Sequence, residues 1–141
     1  MTDADVDGAH IASLLITFFY QEMPDLIRNG HLYLGVPPLY KLTQGGKTAY
    51  ARDDAHKDEL MSSFFTGKGK VEINRFKGLG EMTAGQLKET TMDPKVRTLL
   101  RVLLDESEGT KQTVDDLMGT KPEARFRFIQ DNAEFAHDLD I

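Results

Sequence analysis

Three aspartates, Asp3, Asp5 and Asp7, stand at alternate positions near the start of the chain, and Gly8 follows them directly. In an extended segment, residues at i, i+2 and i+4 point to the same side, so these carboxylates are expected to crowd together. Such crowding is costly unless a cation or a helix N-terminus offsets the charges. Carboxylate oxygens are the ligands that Mg²⁺, Mn²⁺ and Ca²⁺ prefer. The pattern therefore predicts a divalent-cation site, with a solvated acidic turn that caps a helix as the alternative.

The same D-x-D-x-D-G start opens the calcium-binding loop of EF-hands. That loop also needs a bidentate glutamate at its twelfth position. Counted from Asp3, the twelfth residue is Leu14, which lies in a run of apolar residues at helical spacing. A leucine cannot bind a cation, so the sequence excludes an EF-hand.

The composition is that of an ordinary globular protein. The chain has 141 residues, of which 40% are hydrophobic and 28% charged, enough for one domain with a core. The absence of cysteine excludes disulfides and thiolate metal sites. No apolar run reaches the length of a membrane span and no secretory signal is visible, so we expect a cytoplasmic protein without a membrane partner.

The net charge of −6 argues against nucleic-acid binding by the surface as a whole. A local patch is still possible, because the stretch from Lys68 to Lys77 holds four basic residues and one acidic residue. A charge run of this kind is usually only a solvated face, so it does not by itself predict DNA binding.

Apolar periodicity predicts the elements that must position the aspartates. A helix is expected directly after Gly8, with Asp7 as its N-cap and an apolar stripe that includes Leu14 and Phe18 in the core. The metal ligands would then lie where a strand end meets a buried helix, in an α/β arrangement. Further elements are expected as a strand at 31–36, a hairpin around Gly45-Gly46, a helix at 54–65, a strand at 71–76, helices opened by capping boxes at 83–86 and 120–123, and a helix or a strand at 99–104.

A second segment of interest is Lys77-Gly78-Leu79-Gly80, between the strand predicted at 71–76 and the capping box at 83–86. Its glycines allow close backbone approach, and together with Lys77 they could hold a phosphate. Considered alone, the segment is better explained as a tight turn.

Taken together and in this order, the segments resemble the B subunits of bacterial type IIA topoisomerases, the family of DNA gyrase and topoisomerase IV. The resemblance spans essentially the whole chain. The lack of the long insertion of many Gram-negative gyrase B subunits, the series at 9–16 and the ending at 135–141 favour the topoisomerase IV branch. The segments that carry the resemblance are Met1–Gly8, His10-Ile11, Gly30–Tyr33, Pro37–Tyr40, Arg75–Met82, Thr91–Pro94 and the tail from Arg125 to Ile141.

The resemblance implies a fold and a domain boundary. Residues 1–94 would form the second half of a TOPRIM domain, which is a Rossmann-like α/β fold, with a β-hairpin insertion. Residues 95–141 would form the α+β tail at the C-terminus of the whole B polypeptide.

The resemblance also implies residue roles. In this family the aspartates that match Asp3 and Asp5 ligate Mg²⁺, for which Mn²⁺ or Ca²⁺ can substitute, and the one that matches Asp7 supports the site or binds through water. The metal stabilises charge on the scissile phosphodiester during attack by a tyrosine that the A subunit carries. Apart from the resemblance, His10, Lys77 and Arg125 are the candidate DNA contacts by residue type and place. The alternatives are a surface histidine for His10, a solvated lysine for Lys77 and, favoured for Arg125, packing of its helix.

The partners implied are double-stranded DNA and the A subunit, in a heterotetramer on the nucleoid that decatenates and relaxes DNA. ATP acts through an N-terminal domain, and the catalytic glutamate lies in an upstream Glu-Gly-Asp-Ser motif. We expect this chain to lack both and to be inactive alone. Three alternatives remain: a gyrase polypeptide of the same type that supports supercoiling, a docking module for DNA or the A subunit without catalysis, and another TOPRIM enzyme such as a primase or nuclease.

Overall fold

The fold is known from a computed structural model that describes residues 1–105 and 109–136. It is a mixture of helices and small sheets, so the coarse prediction of a mixed fold of helices and strands is confirmed. The chain divides into two compact units. One comprises Met1–Ala9 and Tyr33–Leu100, and the other comprises His10–Leu32 and the residues from Arg101 onward.

A three-stranded antiparallel sheet forms the centre of the first unit. Strands β2 (Tyr40–Gln44) and β3 (Lys47–Ala51) form the hairpin predicted around Gly45-Gly46, and β4 (Glu72–Arg75) pairs with the other edge of β2. Gly45 has a φ of +58°, which the tight turn requires. The buried core consists of Tyr40, Leu42, Ala51 and Phe65.

Helix α3 (Asp54–Ser63) starts beside the hairpin and is tied to it by Asp54. The Tyr40 hydroxyl and the Lys57 ammonium both donate to Asp54 Oδ1, at 2.8 and 2.7 Å. Both bonds lower the pKa of Asp54 from its ordinary value, and the bond from Lys57 has the larger effect. The same carboxylate raises the pKa of Lys57 and of Tyr40. The start of the helix is thus held to the hairpin by side-chain bonds.

The capping box at Thr83 is present as predicted. Its hydroxyl accepts from the backbone of Gln86, whose side chain accepts from the backbone of Thr83, and α4 (Ala84–Leu87) follows. The helix continues as a π-helical turn, Lys88–Met92. Strand β5 (Leu99–Arg101) pairs with β1 (Tyr33–Gly35), so the ambiguous stretch at 99–104 begins as a strand.

Helix α1 (Val6–Glu22) is followed by α2 (Pro24–Arg28), which begins at Pro24 as a helix restarted by proline does. Two further helices are α5 (Gly109–Met118) and α6 (Pro122–Asn132). The capping box predicted at 120–123 is wrong. The N-cap of α6 is Lys121, which makes no side-chain cap, because the helix begins at Pro122 and leaves Thr120 outside it.

The prediction of a buried helix after Gly8 is wrong for this chain. Much of the apolar stripe of α1 is about half exposed, for example Leu14 at 48% and Phe18 at 51%, although Phe19 is less exposed. Gly8 is the one residue of α1 that is classed as buried. The spacing identified the helix and its apolar side correctly, but an apolar side is buried only where another element packs on it.

The TOPRIM assignment over 1–94 and the tail over 95–141 remain predictions. The three-stranded sheet is antiparallel, whereas parallel strands are typical of Rossmann-like folds. Residues 137–141 of the predicted family ending lie outside the described residues. Among the helices described, none is both long and apolar enough to span a membrane.

Candidate metal and nucleic-acid site

The aspartate segment and the Lys77–Gly80 segment meet in the first unit through one hydrogen bond. The backbone N–H of Leu79 donates to Asp3 Oδ1 at 2.7 Å, although the two residues are 76 positions apart. The sequence placed both segments in one site only through the family resemblance. The structure brings them together by a direct contact.

Two glycines make this contact possible. A Cβ at Gly78 would lie 3.2 Å from Asp3 Cγ and 3.3 Å from each carboxylate oxygen. A Cβ at Gly8 would overlap the backbone of Asp3, at 2.7 Å from its carbonyl carbon. Glycine is therefore needed at position 8, where a Cβ would meet backbone, whereas at position 78 the Asp3 side chain would have to shift by a few tenths of an ångström; neither glycine has a positive φ.

Asp5 and Asp7 take different places from those predicted. Asp5, rather than Asp7, caps α1, because its Oδ1 accepts from the backbone N–H of Gly8 at 2.7 Å. Asp7 lies in the first turn of the helix and is exposed. The three carboxylates thus do not share one side of an extended strand, since the helix begins at Val6. In the part of the chain that is described, no strand precedes it.

The proline pair of the family motif packs beside this contact. A small apolar cleft that has no room for a water molecule is lined by Ala4, Pro37, Pro38, Phe76, Gly78, Leu79 and Met82. Phe76 and Met82 are buried, and the Phe76 N–H donates to the Leu39 carbonyl at 2.8 Å. The aspartate segment, the proline pair and the glycine segment are therefore packed into one structure.

The donor set suits a hard divalent cation only in part. Asp3, Asp5 and Asp7 offer oxygen ligands, and Mg²⁺ is commonly held by one or two carboxylates with several waters. Over residues 1–105 and 109–136, however, no group of three or more acidic or histidine side chains lies close enough to hold a metal. The structure therefore does not gather the three carboxylates into one ligand set, and the magnesium site remains a prediction.

Two of the three predicted DNA contacts have free side chains. His10 lies in α1 and Lys77 between β4 and the turn at Leu79; both are exposed. Neither side chain is bonded to any residue that the structure describes. The Lys77 backbone N–H donates to Glu81 Oε2 at 2.5 Å, which fixes the backbone of the glycine segment.

Arg125 is engaged within the chain. Its Nη1 donates to the Gly119 carbonyl at 2.6 Å and is partly buried. A cation at this position stabilises the C-terminal end of α5. DNA binding by Arg125 remains a prediction, and it would require the guanidinium to give up or share this bond to Gly119.

Sequence reasoning missed one group of polar residues in the first unit. Tyr50, Arg52, His56 and Glu89 line a common cavity, although β3, α3 and the π-helical turn supply them from separate parts of the chain. No sequence motif marks this group. In the structure, Glu89 lies in a π-helical turn, and such turns often occur at functional sites.

Comparison with known proteins identifies relatives of the whole chain. The sequence model of the family described as "DNA gyrase B subunit, carboxyl terminus" matches residues 68–130. The chain is 75% identical to the B subunit of DNA topoisomerase 4 from Bartonella bacilliformis and 70% identical to that from Caulobacter vibrioides, in both cases over all of this chain. It is 50% identical, again over all of this chain, to the DNA gyrase B subunit of Metamycoplasma hominis. These alignments cover 21%, 20% and 22% of the three relatives, so the chain spans about a fifth of their length.

Proposed function

Because this chain belongs to the family of bacterial type IIA topoisomerase B subunits, we propose that it supplies the aspartates with which such proteins hold Mg²⁺ for DNA cleavage and religation. The identities of 75% and 70% to topoisomerase 4 relatives favour that branch over gyrase. The observation that carries the proposal is the hydrogen bond from Leu79 to Asp3, which joins the acidic and the glycine-rich segments.

In the proposed mechanism, the chain's own residues bind and orient. Asp3 and Asp5 provide carboxylate ligands and Asp7 supports them, while the Leu79 N–H fixes one oxygen of Asp3. Bound Mg²⁺ would supply Lewis-acid stabilisation of charge on the scissile phosphodiester. The exposed ammonium of Lys77 would contact the DNA backbone beside these ligands.

The remaining parts of the reaction belong to the rest of the enzyme. We propose that the attacking tyrosine comes from the A subunit, that ATP is bound by another region of the full-length B polypeptide, and that upstream residues complete the metal site. That the described residues hold no cluster of three possible ligands supports that division. The complete A₂B₂ enzyme would act on duplex DNA in the cytoplasm, at the nucleoid.

A second candidate function is a docking module with an idle metal site. The half-exposed apolar face of α1 favours it for the chain alone, since such a face is a surface on which partners pack. Coprecipitation with the A subunit, with and without Mg²⁺, separates the two functions, because docking alone does not depend on the cation.

The test of catalysis uses a complete B polypeptide that carries this segment, assembled with the A subunit. Asp5→Ala is expected to abolish Mg²⁺-dependent cleavage of duplex DNA while circular dichroism remains that of a folded protein. Asp5→Asn keeps an oxygen that can cap α1 and removes the charge, so it should also abolish cleavage. Cleavage at the wild-type rate by Asp5→Asn would show that the residue serves only as a helix cap.

A further inference from the structure

The cavity that sequence reasoning missed is a polar recess of the first unit, with a volume of about 420 Å³. Tyr50 lies on strand β3. Arg52 lies in the turn after that strand, His56 on α3 and Glu89 in the π-helical turn. Ligand-binding cavities commonly have volumes of roughly 300–1,000 Å³. The recess can therefore hold a small organic molecule.

One part of its lining is a set of unused N–H donors. Arg52 is exposed, and its guanidinium has no partner among the residues described. Its backbone N–H donates to His56 Nδ1 at 3.3 Å. A neutral imidazole that accepts at Nδ1 carries its proton on Nε2, so His56 also presents an N–H donor.

Another part of the lining is an acceptor. The Tyr50 hydroxyl donates to Glu89 Oε2 at 3.3 Å, which leaves Glu89 Oε1 without a partner among the described residues. Burial, followed by the negative charge of Glu89, raises the pKa of Tyr50, so the hydroxyl keeps its proton. The backbone that carries Glu89 is held by two buried threonines, because the Thr90 and Thr91 hydroxyls each donate to a carbonyl one turn back, at 2.7 Å.

We propose that this cavity binds a small organic phosphate of the size of a nucleoside monophosphate. The Arg52 guanidinium and the His56 ring both line the cavity, and their N–H groups are donors of the kind from which phosphate oxygens accept. Glu89 accepts a hydroxyl or amine of the same ligand, and Pro38 and Val96 supply apolar walls. The aspartates and Lys77 are not in the lining, so this site is separate from the proposed metal site.

The experiment measures binding of adenosine 5′-monophosphate, adenosine and inorganic phosphate to the 141-residue chain by calorimetry. The monophosphate is expected to bind saturably and more tightly than either fragment. Arg52→Ala should weaken it about tenfold or more, the usual loss for a charged hydrogen bond. Glu89→Ala removes the acceptor, so it should weaken the monophosphate but should not weaken inorganic phosphate, which has no hydroxyl or amine on a carbon skeleton for Glu89 to bind.

Arg97→Ala is the matched control, because Arg97 is an exposed arginine of the same unit that lies outside the lining. It should leave affinity for the monophosphate unchanged. Absence of saturable binding, or equal losses in Arg52→Ala and Arg97→Ala, would overturn the proposal. Circular dichroism of each variant establishes that the affinities compared are those of folded proteins.

Discussion

Single residues determine how the chain enters α1. Asp5 caps the helix and Gly8 lets the backbone of Asp3 lie against the first turn. The Asp3 carboxylate then reaches the Leu79 N–H. The three aspartates, which look equivalent in the sequence, thus have three different environments.

Gly8→Ala tests the close approach. The added methyl group would overlap the Asp3 carbonyl, so the variant is expected to lose about 2 kcal/mol in the free energy of unfolding, as overpacked sites do. Urea denaturation measures this loss. Gly80→Ala is the control, because a Cβ at Gly80 meets nothing within 4 Å and should change stability little. Equal stabilities of the two variants would refute the close approach.

The environment of the single residue Asp54 predicts that the stability of the fold depends on pH. Its pKa is lowered from the ordinary 3.8, chiefly by the bond from Lys57. A carboxylate with a depressed folded pKa contributes stability above its unfolded pKa, and that contribution is lost as the pH falls through the folded pKa. Relative to Asp54→Asn, the wild type should therefore lose its advantage as the pH falls below about 5.

The measurement is the difference in urea midpoint between wild type and Asp54→Asn over that pH range. Glu59→Gln, on the same helix, is the control and should leave the pH profile of the wild type unchanged. A constant difference between wild type and Asp54→Asn down to low pH would contradict the assigned role of Asp54.

The sequence identifies the candidate residues of this site, but it does not predict how they are arranged. Alternate spacing predicted one shared side, yet that holds only for an extended chain, and the helix begins at Val6. Asp5 and Asp7 are equally good caps by residue type. The choice between them depends on where the helix starts, which tertiary packing around Gly8 and Asp3 decides.

Among the elements, the hairpin and α4 were predicted correctly from strong local signals, although the capping box predicted at 120–123 does not form. The hairpin has its glycine turn and α4 its capping box, and both signals act within a few residues. Burial of α1 was not predictable, because periodicity identifies an apolar face but cannot say what covers it. The stretch at 99–104 was likewise decided by pairing with β1, a partner far away in sequence.

The contrast between β2 and α1 gives a prediction for the elements. Leu42 is completely buried between β3 and β4, so Leu42→Ala should cost roughly 3 kcal/mol in the free energy of unfolding. Leu14 on α1 is 48% exposed, and Leu14→Ala should cost far less. Chemical denaturation of the isolated chain compares them. A loss at Leu14 as large as that at Leu42 would mean that α1 is covered in solution.

At the scale of the whole molecule, the chain spans about a fifth of its relatives' length. The half-exposed apolar residues of α1 form a surface of the kind on which further elements or partners pack. The family could be identified from the order of the motifs alone. The proposed completion of the metal site by another region could not be predicted from spacing, because no pattern within these residues specifies ligands outside them.

The central claim is that the aspartates act on DNA through a cation, and the Mg²⁺ dependence of DNA cleavage by the assembled enzyme tests it most directly. Asp3→Asn retains an oxygen that can accept from Leu79 and loses only the charge, so the fold should persist while cleavage is lost or requires much higher Mg²⁺ concentrations. Asp25→Asn, an exposed acid of α2, should follow the wild-type curve. If Asp3→Asn cleaved DNA with the wild-type Mg²⁺ dependence, Asp3 would be a structural acceptor only and the proposed function would be contradicted.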